Sequence, residues 1–237
     1  MKKLFSILII LLFTSLLLSQ NSESSQSGSE SSVSSQKYRL EIKIGNSTRT
    51  AALSENIIEP HRDYAEELKK GYNLSLSFLI FRKTWGNGLQ ISYFKTSNSS
   101  DEIYLFDDNG FLMGIGNRED DITVLFIGPE FYYQYPLNPI FRLYGKIAPG
   151  YIRYSNDVYF IHSSASYSGK TYGINSSLGF EYLFNTGIGF AIDISFLRAL
   201  PMKIKNATND DKENIDRFDI NSPISVSSIT LIPYENE

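Results

Sequence analysis

The chain reads as an all-β protein, an eight-stranded antiparallel up-and-down transmembrane β-barrel with a short helix in its first long loop. Three observations predict it: apolar and small-polar residues alternate along segment after segment, connections alternate between short and long, and a secretory leader precedes them. The pattern is cleanest from Lys170 to Leu200. There Tyr172, Ile174, Leu178, Phe180, Tyr182 and Phe184 share one parity, while Gly173, Asn175, Ser177, Gly179 and Glu181 hold the other. After Asn185-Thr186-Gly187 the alternation resumes, with Ile188, Phe190, Ile192, Ile194 and Phe196 against Gly189, Ala191, Asp193 and Ser195. Successive side chains of a strand point to opposite faces, so this is a hairpin with one greasy face and one small, polar face.

Lys2 and Lys3 precede an apolar run from Leu4 to Leu18 that stops at Ser19-Gln20, which reads as a signal peptide over 1–20. A membrane anchor would need about 20 apolar residues. Residues 21–36, NSESSQSGSESSVSSQ, have almost nothing to bury and are expected to form a disordered tail, leaving 37–237 as the barrel domain. No cysteine is present, so neither lipid attachment at a cysteine nor a disulfide is expected. Removing Lys2 and Lys3 takes the formal charge from −4 to −6, against a nucleic-acid partner that needs a basic face. Aromatic residues make up 14% of the chain, yet no later apolar run has the length of a membrane helix, which leaves strands as the way to span.

Strand one is expected at Tyr38 to Gly45, followed by Asn46 to Ile58 without a clear period. Pro60 and Gly71 bracket a charged stretch suited to a short helix. Strand two follows from Gly71 to Lys83, and Trp85-Gly86-Asn87-Gly88 is expected to turn the chain. Strand three runs from Leu89 to Thr96, and Ser97 to Asp120 reads as a long acidic loop. Strand four covers Asp121 to Tyr135, with Gly128-Pro129 breaking the parity as a bulge or rim kink would. Pro136 to Pro139 leads into strand five, Ile140 to Tyr154, then a loop from Ser155 to Gly169. Pro201 to Asn221 is a further polar loop, and Ser222 to Tyr234 closes as strand eight.

Long and short connections thus alternate, as short periplasmic turns and long external loops do in outer-membrane barrels. Both termini then lie in the periplasm and the long loops outside. A soluble lipocalin-type barrel shares the alternation, but its outward parity should carry many Lys and Glu, and here that parity is mostly Gly, Ser, Asn and Ala.

YAEELKKGYNLSL, WGNGLQISYF, IGPEFYYQY, APGYIRY, SLGFEYLF and GIGFAIDISF together resemble the OmpA-like and porin-like outer-membrane β-barrel proteins of Bacteroidetes-type bacteria, over roughly 38–234. The resemblance implies the outer membrane of a Gram-negative bacterium, with its lipid and lipopolysaccharide and the barrel insertion machinery as partners. Barrels of that kind commonly finish on an aromatic residue, whereas Tyr234 is followed by Glu235-Asn236-Glu237.

The expected lumen charges are Arg39, Glu41, Lys43, Glu130, Arg142, Lys146, Glu181 and Asp193. Eight strands leave an interior just filled by side chains, and an unpaired buried charge costs several kcal/mol. These residues are therefore expected to pair and plug the lumen; a narrow gated ion or solute path is the other use of such a set. His162 and Ser164 share the His-x-Ser spacing of barrel-embedded lipid-modifying enzymes, but no carboxylate is available to orient the histidine. Asp107-Asp108, Asp120-Asp121 and Asp210-Asp211 are expected in loops and lack a calcium-loop spacing. No catalytic residue, metal ligand or cofactor is expected, and the reading is of a monomeric, non-enzymatic envelope protein.

Overall fold

A computed structural model describes residues 38–50, 59–106, 112–161, 163–184, 188–200, 202–206, 212–215 and 219–231. The expected leader, the Ser-rich tail, the Asp107-Asp108 and Asp210-Asp211 pairs, His162 and Tyr234 lie outside them. Seven strands form an antiparallel up-and-down meander: β1 (Tyr38–Arg49), β2 (Lys70–Arg82), β3 (Trp85–Phe106), β4 (Leu112–Pro136), β5 (Phe141–Phe160), β6 (Ser163–Leu183) and β7 (Ile188–Ala199). Beyond β7 come β8 (Met202–Asn206), β9 (Lys212–Ile215) and β10 (Asp219–Leu231). The backbone of β10 pairs with β7 on one side and β1 on the other, while β8 adds to the far end of β6 and carries β9. Helix α1 (Glu59–Glu67) stands between β1 and β2. No helix among the described residues is long and apolar enough to cross a membrane.

One face of the sheet is enclosed and the other carries a continuous apolar belt. On β2, Tyr72, Leu74, Leu76, Phe78 and Ile80 are all exposed while Ser75, Ser77, Leu79 and Phe81 between them are buried. On β7, exposed Phe190, Ile192, Ile194 and Phe196 alternate with buried Ala191, Asp193 and Ser195. Such an outer face is the inverse of a water-soluble sheet. On β4 the exposed apolar positions run from Leu125 to Tyr135; ten steps of about 3.3 Å, on strands tilted about 40°, give a belt about 25 Å tall. Aromatic rings border the belt toward the long connections at Tyr72, Tyr93, Tyr151, Tyr172 and Phe196, and toward the short ones at Trp85, Tyr133 and Tyr135.

Several boundaries differ from the sequence expectation. Trp85 to Gly88 does not turn the chain: Lys83-Thr84 does, with Arg82 paired to Trp85 and Lys83 at φ 56°. Gly86 and Gly88 belong to β3, and Gly88 is needed because a Cβ there would lie 1.8 Å from the Phe78 carbonyl oxygen. Ser97 to Asp120 is not a loop either, since β3 continues to Phe106 and β4 starts at Leu112, and Asp120 and Asp121 sit on a strand. The same holds for Ser155 to Gly169, where β5 runs to Phe160, β6 begins at Ser163, and Ile161 takes φ 54° in the turn. β1 likewise reaches Arg49, and the stretch 201–221 contains β8, β9 and the start of β10. In each case the ladder continues beyond the apolar belt, where the outer face is largely polar and the inner face carries only scattered apolar residues such as Ile103, Phe160 and Tyr167, so the alternation is too sparse to read.

Gly128-Pro129 makes no bulge. The β3–β4 register is unbroken through Leu89–Pro129 and Gln90–Gly128, and the odd positions from Leu125 to Tyr135 keep facing outward. The β4–β5 ladder omits pairs between Ile127–Tyr151 and Phe131–Ile147 without changing register, which sets Pro129 opposite Pro149. Neither proline has an N–H to donate, so the ladder loses bonds there and no residue is inserted.

Candidate functional site

Two apolar clusters and a set of charges fill the enclosed face. Nearest the short turns, Leu79, Phe81, Tyr132, Tyr144 and Ala191 form a buried cluster, with Tyr132 and Tyr144 stacked at 5.2 Å and Phe81 edge-on to Tyr132 at 5.1 Å. The charges interleave with this cluster and extend from it toward the long connections: Arg39 is in register with Leu79 and Glu181 with Ala191. Toward the long connections, Phe94, Ile122, Val124, Phe126, Ile152, Tyr154 and Ala199 make an apolar layer, and Tyr64 and Leu68 at the end of α1 close over it.

Most of the sequence-derived charges meet in and just beyond the aromatic cluster. Arg39, carried on β1, is completely buried; its Nη1 donates to Glu181 Oε2 at 3.0 Å and its Nη2 lies 2.6 Å from Glu181 Oε1, so the pair has two contacts, one of them a hydrogen bond. The same guanidinium donates to Tyr132 Oη at 2.8 Å and to Glu41 Oε2 at 3.2 Å, with its carbon 4.8 Å from the centre of the Tyr132 ring. Lys43 Nζ sits 2.5 Å from Asp193 Oδ1, whose other oxygen accepts from Tyr144 Oη at 2.9 Å. Lys146 bonds Glu41 Oε1 and stands 3.7 Å from Glu130 Oε1. Alternation explains the convergence: these residues occupy inward positions of five strands, β1, β4, β5, β6 and β7, and contact one another across the interior.

Two members stand apart. Glu130 is buried beside the Pro129–Pro149 opening, and neither of its carboxylate oxygens accepts a hydrogen bond; Lys146 at 3.7 Å is its nearest cation. Arg142 is half-buried at the short-turn rim, where its Nη1 donates to Gln134 Oε1 at 3.2 Å. Neutral contacts continue the network, including Asn175 Nδ2 to Gln90 Oε1 at 3.0 Å and Ser75 Oγ to Ser92 Oγ at 2.9 Å.

At the long-connection end, Tyr64 of α1 donates to Asp120 Oδ2 at 2.7 Å, and Arg118 Nε donates to the same oxygen at 2.6 Å. Asn98 Nδ2 donates to Tyr64 O, and the Tyr104 N–H donates to His61 Nε2 at 3.1 Å, so the helix is tied along the edge of β3. Burial pushes the Asp120 carboxyl up, but the bonds from Arg118 and Tyr64 outweigh it and hold it below the usual aspartate range. Burial and the same carboxylate raise the Tyr64 hydroxyl. A recess of about 500 Å³ beside this cluster is lined by Tyr154, Asn156, Phe160, Ser164, Tyr167 and Ile204, among others. Among the described residues, no group of three or more His, Asp or Glu side chains is placed to hold a metal ion.

The two apolar clusters are what sequence reading missed. The signal was there: in ITVLFI (122–127) and FLIF (78–81) both parities are apolar, the mark of a strand covered on both faces.

No protein-family model and no curated protein matches the sequence. Among solved structures, Neisserial surface protein A matches with a TM-score of 0.52 at 9% identity, over 83% of this chain and 97% of that one. The outer membrane protein OprG from Pseudomonas aeruginosa follows with a TM-score of 0.47 at 14% identity, covering 84% and 98%. The attachment invasion locus protein Ail of Yersinia pestis matches at 0.39 with 16% identity, covering 83% and 99%. The likeness to the Neisserial protein identifies the fold of this chain as that of an outer-membrane β-barrel.

Proposed function

We propose that the chain is a small, monomeric outer-membrane β-barrel whose lumen is closed by its own side chains and which serves envelope structure or surface interaction through its long-connection end. Eight strands close the barrel, β1 to β7 with β10; the ladders from β10 to β7 and β1 support this count. Helix α1 belongs to the first long connection. The apolar belt of about 25 Å supports a place in a bilayer core. With short turns at the periplasmic rim, both ends of the barrel domain are periplasmic and the β3–β4 and β5–β6 extensions reach outside the cell.

The observation that carries the reading is the filling of the interior. A conducting pore needs a continuous wet path, whereas here paired charges interleaved with an aromatic cluster fill one part of the interior and an apolar cluster under a helix fills the part nearer the long connections. The reading is non-enzymatic, with lipid and lipopolysaccharide around the barrel. Reconstitution of the full chain into planar bilayers tests it. No stable current steps are expected at moderate voltage; reproducible unitary conductance would replace the closed barrel with a channel.

A further inference from the structure

On five strands the outer face carries a cation two residues beyond an aromatic ring, on the side of the long connections: Lys70, Lys95, Arg153, Lys170 and Arg198. Two of these are direct cross-strand partners. Arg153 of β5 is in register with Lys170 of β6, both side chains are exposed, and the pair sits immediately above Tyr151 and Tyr172, whose rings meet edge to face at 5.9 Å. Like charges directly opposite each other on one face of a sheet repel. Neither cation has a carboxylate within 4.0 Å among the described ion pairs, and Asp121, farther along the outer face of β4, binds Lys95 at 2.7 Å. On β4, the residue in register with Arg153 is Leu125, which is apolar.

We propose that Arg153 and Lys170 clamp a phosphate group of a membrane lipid headgroup in the outer leaflet, the phosphates of lipopolysaccharide being the occupant their position fits. An anion between them turns the repulsion into two charge-assisted contacts, and the arginine fork suits phosphate oxygens. The height decides the source. The pair stands one step above the aromatic border of the apolar belt, where the headgroups of a bilayer around that belt lie, and it faces away from the barrel, toward lipid. Tyr151 and Tyr172 then form the shelf on which the upper acyl or sugar part of the lipid rests. This inference rests on the outer-membrane reading above.

The test uses the full chain folded in detergent, with folding checked independently by heat-modifiable gel migration, and native mass spectrometry to count retained lipid. Wild type is expected to retain bis-phosphorylated lipid A at least tenfold better than the same lipid with its phosphates removed. The double variant Arg153→Gln/Lys170→Gln should fold equally well and lose that preference, while Lys70→Gln should keep most of it. Equal retention of the two lipids by folded wild type, or full discrimination by the double variant, overturns the clamp and leaves the barrel reading standing. Displacement of the lipid by millimolar inorganic phosphate would also overturn it, marking a site for a soluble anion. A chain that never reaches the heat-modifiable form fails the outer-membrane reading itself.

Discussion

Arg39 and Glu181, 142 residues apart in sequence, face each other across the interior as an ion pair with both side chains completely buried. A pair so placed ties β1 across the interior to β6, from which β10 and β7 separate it in the sheet. Its worth lies less in net attraction than in what its loss leaves behind, because a buried charge without a partner is far more costly than a missing pair.

Glu181→Gln and Arg39→Met should therefore each destabilise the folded barrel by about 3–5 kcal/mol. Arg39 would still hold Glu41 and Tyr132, which places Glu181→Gln at the lower end. The double variant Arg39→Met/Glu181→Gln should cost less than the sum of its singles, since no charge is orphaned. Urea unfolding in detergent, followed by gel mobility, measures all three. Strict additivity would show that the pair is not coupled.

Glu41 and Glu130 share Lys146 but should respond in opposite ways. Glu41 accepts from both Arg39 and Lys146, whereas Glu130 accepts no hydrogen bond at all. Arg39 serves Glu41 and Glu181 and Lys43 serves Asp193, whereas Glu130 has only Lys146, at 3.7 Å, among the described ion pairs, which makes it the most weakly paired carboxylate. Glu41→Gln should cost about 3–5 kcal/mol. Glu130→Gln should stay within about 1 kcal/mol of wild type, because it relieves a weakly paired charge as it removes a distant partner. Similar losses for both would mean that Glu130 carries a share of the pairing which its geometry does not show.

The inward position of these charges could be read from alternation alone, since parity along each strand fixes which side chains share a face. Their partners could not. Which cation meets which carboxylate depends on the stagger between strands, and nothing in YRLEIKIG states that Arg39 meets Glu181 of β6. The meander was legible wherever the belt imposes a hydrophobic period, as in β2 and β7, and illegible where the strands outrun it. Ser97 to Asp120 looks like a loop because the apolar belt does not extend over its outer face, yet the β3–β4 ladder runs on as far as Phe106 and Leu112. Gly86 and Gly88 imitate turn residues for a different reason: the Phe81 ring and the Phe78 carbonyl leave no room for a Cβ.

The docking of α1 should be sensitive to acid in a window set by Asp120. Its carboxyl is depressed in the folded chain, so the contribution to stability is full above the ordinary aspartate value near pH 4 and is lost as pH falls through the lower folded value. Protection of the helix from proteolysis should hardly change between pH 7 and pH 5 and should fall below about pH 4. Asp120→Asn should remove that step and leave protection lower at neutral pH, since Tyr64 and Arg118 lose a charged acceptor. A step centred near neutrality would assign the control of docking to a different group.

The orientation of the outer face can be tested by moving one charge up and down it. Ile192 is 46% exposed and sits near the middle of the belt on β7. Arginine at the midplane of a bilayer on the lipid face costs about 2–4 kcal/mol, so Ile192→Arg should slow assembly and reduce the heat-modifiable fraction. Ser195 offers no fair control, because its side chain is 4% exposed on the crowded inner face and an arginine there would have to displace packed neighbours. Ser97 does: it is exposed on the outer face of β3, beyond Lys95, and in register with Asp121, which could accept the new charge. Ser97→Arg should assemble like wild type in lipid vesicles. If instead Ile192→Arg assembled normally and Ser97→Arg failed, the belt on the outer face would not be meeting lipid, and the bilayer reading would give way to a barrel whose apolar surface is covered by protein.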